Sequence, residues 1–143
     1  MILVDVNVLV YAHRADAEDH RAYHEWLNGV VNGNRAYGMC DLVLSGFLRV
    51  VTHPRVFDPP SSLGDALSFA STLREQPHCV RLEPGPRHWE IFRELCQSAG
   101  ARGNLIPDAY LAALAIESGS QWMTTDRDFS RFPGLDWRHP LGG

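Results

Sequence analysis

Five short apolar runs, spaced by stretches of helical periodicity, constrain this chain more than any other feature. They are "MILVDV" (1–6), "AYGMC" (36–40), "HCVRL" (78–82), "QWMTT" (121–125) and "LDWR" (135–138), the last suited to a sheet edge. Each is too short for a helix and rich enough in apolar residues for a strand buried between layers. Between them, residues 16–32 read as a helix ending near Gly33, 41–52 as a helix stopped by Pro54, and 62–75 as a helix with Ser62 and Asp65 in capping-box register. Residues 87–99 form a further helix closed by Gly100, residues 104–119 another, and "DRDFSRF" a turn or short helix. Strands alternating with helices predict an α/β layer fold on a mostly parallel sheet, in a single domain over 1–143.

In such sheets, sites form beyond the carboxyl ends of the strands. Acids stand where that rule wants them: Asp5 ends the first run, and Asp126 and Asp128 follow "QWMTT". A fourth acid, Asp108, sits on the helix "NLIPDAYLAALAIESG". At ~100° per residue it shares a face with Leu111, Ala112 and Ala115, the apolar stripe. A carboxylate there is costly unless a cation or several donors meet it. Each acid also has a plainer reading. Asp108 can serve the helix dipole after Pro107, Asp126 can cap a short helix, Asp128 can be its solvated first turn, and Asp5 can bind strand-end amides. The position of Asp108 depends on "ARGNLIP", because its helix start falls near the opposite sheet edge unless that loop returns it over the strand ends.

Carboxylates gathered in one pocket repel one another without a cation. Oxygen ligands with no His or Cys in the same segments favour Mg²⁺ or Mn²⁺ over zinc. Such an ion acidifies a water and neutralises charge on a phosphate under attack, so the expected chemistry is phosphodiester cleavage.

Composition narrows the alternatives. The net charge of −4 offers no general attraction to nucleic acid, so any such contact must be local. All 13 basic residues are arginine. The lack of lysine removes a Walker-type phosphate loop and Schiff-base catalysis. No apolar run is long enough to span a membrane and no basic leader precedes the first run, so a cytoplasmic location is expected. Cys40, Cys79 and Cys96, odd in number and isolated, suit reduced, packed thiols.

"MILVDVNVLVYA", "GNLIPDAYLAALAIESG" and "TTDRDFSRFPGLDWRHPL" together resemble the PIN-domain ribonucleases, and in particular the VapC-type toxins of toxin–antitoxin pairs. The resemblance spans the chain. It implies a three-layer α/β/α sandwich, cleavage of RNA (transfer or ribosomal) with Mg²⁺ or Mn²⁺, inhibition by a VapB-type antitoxin, and a homodimer. Residue by residue it assigns catalytic and metal-binding roles to Asp5, Asp108 and Asp126, and places Asp128 beside them either as a further metal ligand or as a residue that assists from behind the ligands; Asn7 and Thr125 are candidates either to bind substrate or to support the ligands.

One departure stands out. The family's glutamate after the second strand falls on Ser45–Gly46 here. Projected as a helix, 41–52 puts Asp41, Ser45, Arg49 and Thr52 opposite its apolar side. Ser45 and Arg49 are candidates to hold a phosphate, and Asp41 is either a substitute acid or an N-cap. The rival readings are a non-catalytic PIN-like binding domain and a haloacid-dehalogenase-type phosphohydrolase. The second of these needs an acid where Asn7 stands, and a lysine. His20 and His24, four apart, lack the zincin glutamate. His53 and Arg55 lie at a turn that either touches phosphate or is simply solvated. Trp26, Trp89, Trp122 and Trp137 suit core or interface anchoring better than base stacking.

Overall fold

The structure is a computed structural model that describes residues 1–142. Its strands are β1 (Ile2–Val4), β2 (Tyr37–Met39), β3 (Cys79–Arg81), β4 (Gln121–Met123) and β5 (Trp137–Arg138), all parallel, in the order β3-β2-β1-β4-β5. Six helices accompany them: α1 (Val6–His13), α2 (His20–Val31), α3 (Asp41–Val51), α4 (Leu63–Arg74), α5 (His88–Ala99) and α6 (Leu105–Glu117). A short 3-10 helix, Arg127–Arg131, precedes β5. From β1 the chain steps outward to β2 and β3 through α1 to α4, then crosses back to β4 through α5 and α6. Right-handed crossovers in opposite directions place these two helix groups on opposite faces of the sheet. Consistently, α1 packs on α2 and α3, α3 on α4, and α5 on α6. The three-layer α/β/α expectation is met.

The strands are shorter than their apolar runs because those runs continue into helices or loops. The largest departure is α1, for which the sequence reading had no helix. "VNVLVYAH" is apolar nearly all round and β-branched at Val6, Val8 and Val10, so it gives no amphipathic signal. Val8, Leu9, Val10 and Ala12 are all buried, as a helix packed on α2 and α3 requires. Helix α2 begins at His20 rather than 16, after Asp19 in the left-handed conformation at φ 57°. At α4 the expected cap is present: the Ser62 hydroxyl accepts from the Asp65 amide at 3.1 Å.

Packing at the sheet centre is tight. A Cβ on Gly38 of β2 would stand 2.3 Å from Leu3 and 2.7 Å from Leu82, so only glycine lets those side chains meet across the strand. Trp122, Tyr37, Phe47 and Phe129 are fully buried around it. Trp89, by contrast, is 68% exposed and is no core anchor. The three cysteines are free thiols, buried or half-buried. Among the described residues, no helix is long and apolar enough to cross a membrane.

Helix α6 settles the position of Asp108. It leads into β4, which is parallel to its neighbours, so α6 runs back along the sheet and starts at the carboxyl ends of the strands. No special excursion by "ARGNLIP" is needed, contrary to the sequence expectation. The acid-bearing strands β1 and β4 are paired in register, Val4 with Met123. The direction in which the chain adds strands to the sheet reverses between them, and this is the switch point at which parallel sheets open a crevice.

Candidate active site

Asp5 is both the residue after β1 and the N-cap of α1. Its Oδ1 accepts the Val6 amide at 2.7 Å and its Oδ2 accepts the Thr124 hydroxyl at 2.7 Å. Its own amide donates to Met123 O at 2.9 Å, so strand pairing fixes its backbone. The Thr124 hydroxyl, fully buried, also accepts the Asp126 amide at 3.0 Å. Asp126 in turn caps the 3-10 helix by accepting the Asp128 amide at 2.9 Å. One threonine thus ties together two acids from opposite ends of the chain.

Asp5, Asp108 and Asp126 line one cavity of about 550 Å³, together with Asn7, Ser45 and Arg49. Burial is the main cause that pushes Asp5 up to about 6, opposed by its bonds to Thr124 and Val6, with Asp126 adding repulsion. Burial also pushes Asp108 up to about 6, followed by repulsion from Asp5, Asp126 and Asp128. Asp108 thus sits in the field of three other carboxylates, and Asp5 in that of Asp126.

Helix α3 turns Leu42, Ser45, Gly46, Arg49 and Val50 toward this cavity, a stripe at helical spacing. Gly46 of α3 lies against α1: a Cβ there would stand 2.9 Å from Val6 Cγ2. A longer residue at that position would displace the turn that carries Asp5.

Three expected residues, Asp41, Thr125 and Asp128, lie outside this lining. Asp41 is neither a substitute ligand nor the N-cap, which is Cys40. It is bound by Arg74 at 2.8 and 3.3 Å and faces a separate cavity lined by Arg74 and Arg81. The cause is the neighbouring α4, whose last turn brings a guanidinium to the start of α3. Thr125 likewise faces a different cavity, with Tyr11, Glu18 and Asp19. The working hydroxyl is the preceding Thr124, which the sequence reading missed. Its signal was present: a threonine two residues before an aspartate forms a side-chain turn with that residue's amide. Asp128 is outside the cavity lining, although its charge reaches Asp108. His20 and His24 spend their Nδ1 atoms on the carbonyls of Tyr11 and Ala12 and act as struts between α2 and α1.

Asn7 Oδ1 is buried with no hydrogen-bond partner, in the same cavity as the acids. A buried acceptor left unmet in a field of carboxylates is suited to a cation or its water. Among the described residues, no three acidic, imidazole or thiol side chains close tightly enough to enclose an ion by themselves. Any divalent ion held here would therefore keep several waters among its ligands.

The PIN domain family model matches residues 2–135. The chain belongs to the PIN domain family. This PIN domain is 50% identical over 143 residues to the ribonuclease VapC43 of Mycobacterium tuberculosis, covering 100% of this chain and 97% of the relative. It is 42% identical over 135 residues to the ribonuclease VapC25 of the same organism, covering 94% and 95%. Among solved structures, this PIN domain resembles a chain of VapBC2 from Rickettsia felis bound to a DNA fragment from its promoter. The TM-score is 0.68 at 19% identity, over 97% of this chain and 98% of that one, a likeness of fold.

Proposed function

We propose that this PIN domain is the endoribonuclease toxin of a toxin–antitoxin pair, hydrolysing RNA phosphodiester bonds with Mg²⁺ or Mn²⁺. The observation that carries the reading is the meeting of Asp5, Asp108 and Asp126 in one cavity at the β1/β4 switch point, beside the unmet acceptor of Asn7. The names of its relatives, ribonucleases matched along nearly their full length, supply the substrate class.

Asp5, Asp108 and Asp126, with Asn7, would hold the cation, and Asp128 adds negative charge nearby. When bound, the ion supplies charge neutralisation at the phosphate and an acidified water. The protein's own residues do the rest. Asp5 is fixed in orientation by Val6 and Thr124, yet each of its oxygens retains a free lone pair. Asp108 faces the same cavity, and burial with the neighbouring acids raises its pKa to about 6 in the cation-free protein, so a bound cation would displace its proton. Arg49 and Ser45 face the same space and can grip non-bridging phosphate oxygens. A transfer or ribosomal RNA substrate, a homodimer, and a VapB-type antitoxin presenting a basic side chain to the acids complete the proposal.

The test pairs calorimetric titration of the wild type with Mn²⁺ and cleavage of total RNA by the wild type and Asp5→Asn. The expected result is cation binding and discrete cleavage by the wild type, with both lost in the variant. A wild type that binds no divalent cation, and whose RNA profile matches the variant's, would favour instead a binding module whose chemistry lapsed with the family's glutamate.

A further inference from the structure

The cavity that holds the acids has more apolar wall than a cation and a phosphate require. Its lining continues through Tyr11, Leu42, Val50, Val56 and Phe57. Leu42 is 48% exposed and Val56 54%, so apolar side chains stand at the solvent edge of a charged site. Val56 and Phe57 belong to the segment joining α3 to α4, and that segment is fastened from behind. Arg14 donates to Pro59 O at 2.9 Å and to the Ser61 hydroxyl at 3.1 Å, and its guanidinium lies 4.3 Å from the Phe57 ring centre. Asp16 grips the same guanidinium at 2.9 and 2.8 Å, and His13 meets Ser61 at 3.1 Å. The Arg14 side chain is only 12% exposed. It does not line the cavity itself but packs behind the Phe57 ring that does.

We propose that Val56 and Phe57, with Tyr11 and Leu42, form a subsite for one unstacked nucleobase beside the scissile phosphate, and that Arg14 is the positioning residue that holds this subsite in place. The inference rests on the ribonuclease reading. Its occupant follows from what adjoins the wall: Arg49 and Ser45 offer donors to an anion within the same cavity. A nucleotide joins an anionic phosphate to a flat, weakly polar base, and single-stranded RNA is commonly recognised by bases splayed onto aromatic and apolar side chains. An apolar protein side chain would match the wall and leave Arg49 without its anion.

The experiment uses the full chain with Mn²⁺ and single-stranded oligoribonucleotides that carry an abasic ribonucleotide at each position around the cleaved bond. For the wild type, an abasic residue at one flanking position is expected to lower kcat/KM about tenfold, near the lower end of what one stacked base contributes. In Val56→Ser, a change at an exposed position, and in Phe57→Ala, the intact substrate is cleaved more slowly, chiefly through KM, and the abasic penalty shrinks. Arg14→Ala shows the same loss of discrimination while its Mn²⁺ affinity stays at the wild-type value, and Arg14→Lys recovers only part. A wild type that cleaves every abasic substrate at full rate overturns the subsite and leaves the nuclease reading standing. A wild type that cleaves no RNA overturns both.

Discussion

The Thr124 hydroxyl donates to Asp5 Oδ2 at 2.7 Å, joining residues 119 positions apart in sequence, and accepts the Asp126 amide with its oxygen. Thr124→Val keeps the shape but strips both bonds, leaving a buried carboxylate oxygen and an amide unmet. The expected cost is about 1–3 kcal/mol of stability. Because the Thr124 bond opposes the rise in Asp5 pKa, its loss moves the onset of activity to higher pH. Chemical denaturation and a pH–rate profile check both, and Thr124→Ser should restore most of each.

Asp5 and Asp108 both titrate near 6, against an ordinary value of 3.8. Between these limits the native state holds more protons than the unfolded chain, so stability without cation falls as pH rises from about 4 to above 6. For buried Asp5 the loss is roughly 3 kcal/mol. A divalent cation must displace these protons. Mn²⁺ should therefore bind more tightly as pH climbs through 6 and raise the melting temperature more at pH 7.5 than at pH 5. Melting curves at several pH values, with and without Mn²⁺, measure this; a midpoint independent of pH over that range would contradict it.

Asp108 separates stability from chemistry. It is repelled by three other carboxylates, so Asp108→Asn should stabilise the cation-free protein by about 0.5–2 kcal/mol, the usual yield of relieving strain at a functional site. The same change should abolish RNA cleavage and weaken Mn²⁺ binding. Urea unfolding alongside titration calorimetry distinguishes this from a simple folding defect, which would lower both.

The α3 stripe offers a gain-of-function test. Ser45 is exposed and faces the cavity, so Ser45→Glu restores an acid without crowding and should tighten Mn²⁺ binding several-fold, in line with the gain from an added carboxylate ligand. At the next position the outcome reverses. Gly46→Glu, or even Gly46→Ala, drives a Cβ against Val6, whose β-branched side chain has little room to yield, and should cost about 1–3 kcal/mol.

Much of this site was legible before any coordinates, because strand-end acids in a parallel sheet converge by rule. Asp5 and Asp126 needed only the apolar runs ahead of them, and Ser45 and Arg49 only helical projection. What escaped was decided by tertiary contact. Asp41 lies on the polar side of α3, as projected, but Arg74 from α4 claims it, and no local pattern announces that partner. Thr125 and Thr124 differ by one residue, and whether the first or the second points inward depends on where β4 ends, the least certain boundary in any strand. Helix α1 was hidden by its composition, since a short helix that is apolar nearly all round has no polar face to betray its period.

The amide of Asp5 is locked to Met123 O at the middle of a five-stranded sheet. Releasing that residue means parting the two innermost strands, an event close to global unfolding, so its amide proton belongs among the slowest to exchange with deuterated solvent. Fraying of the chain ends or of surface loops would leave the charged centre intact, and partial proteolysis at those places should yield nicked protein whose carboxylates still meet.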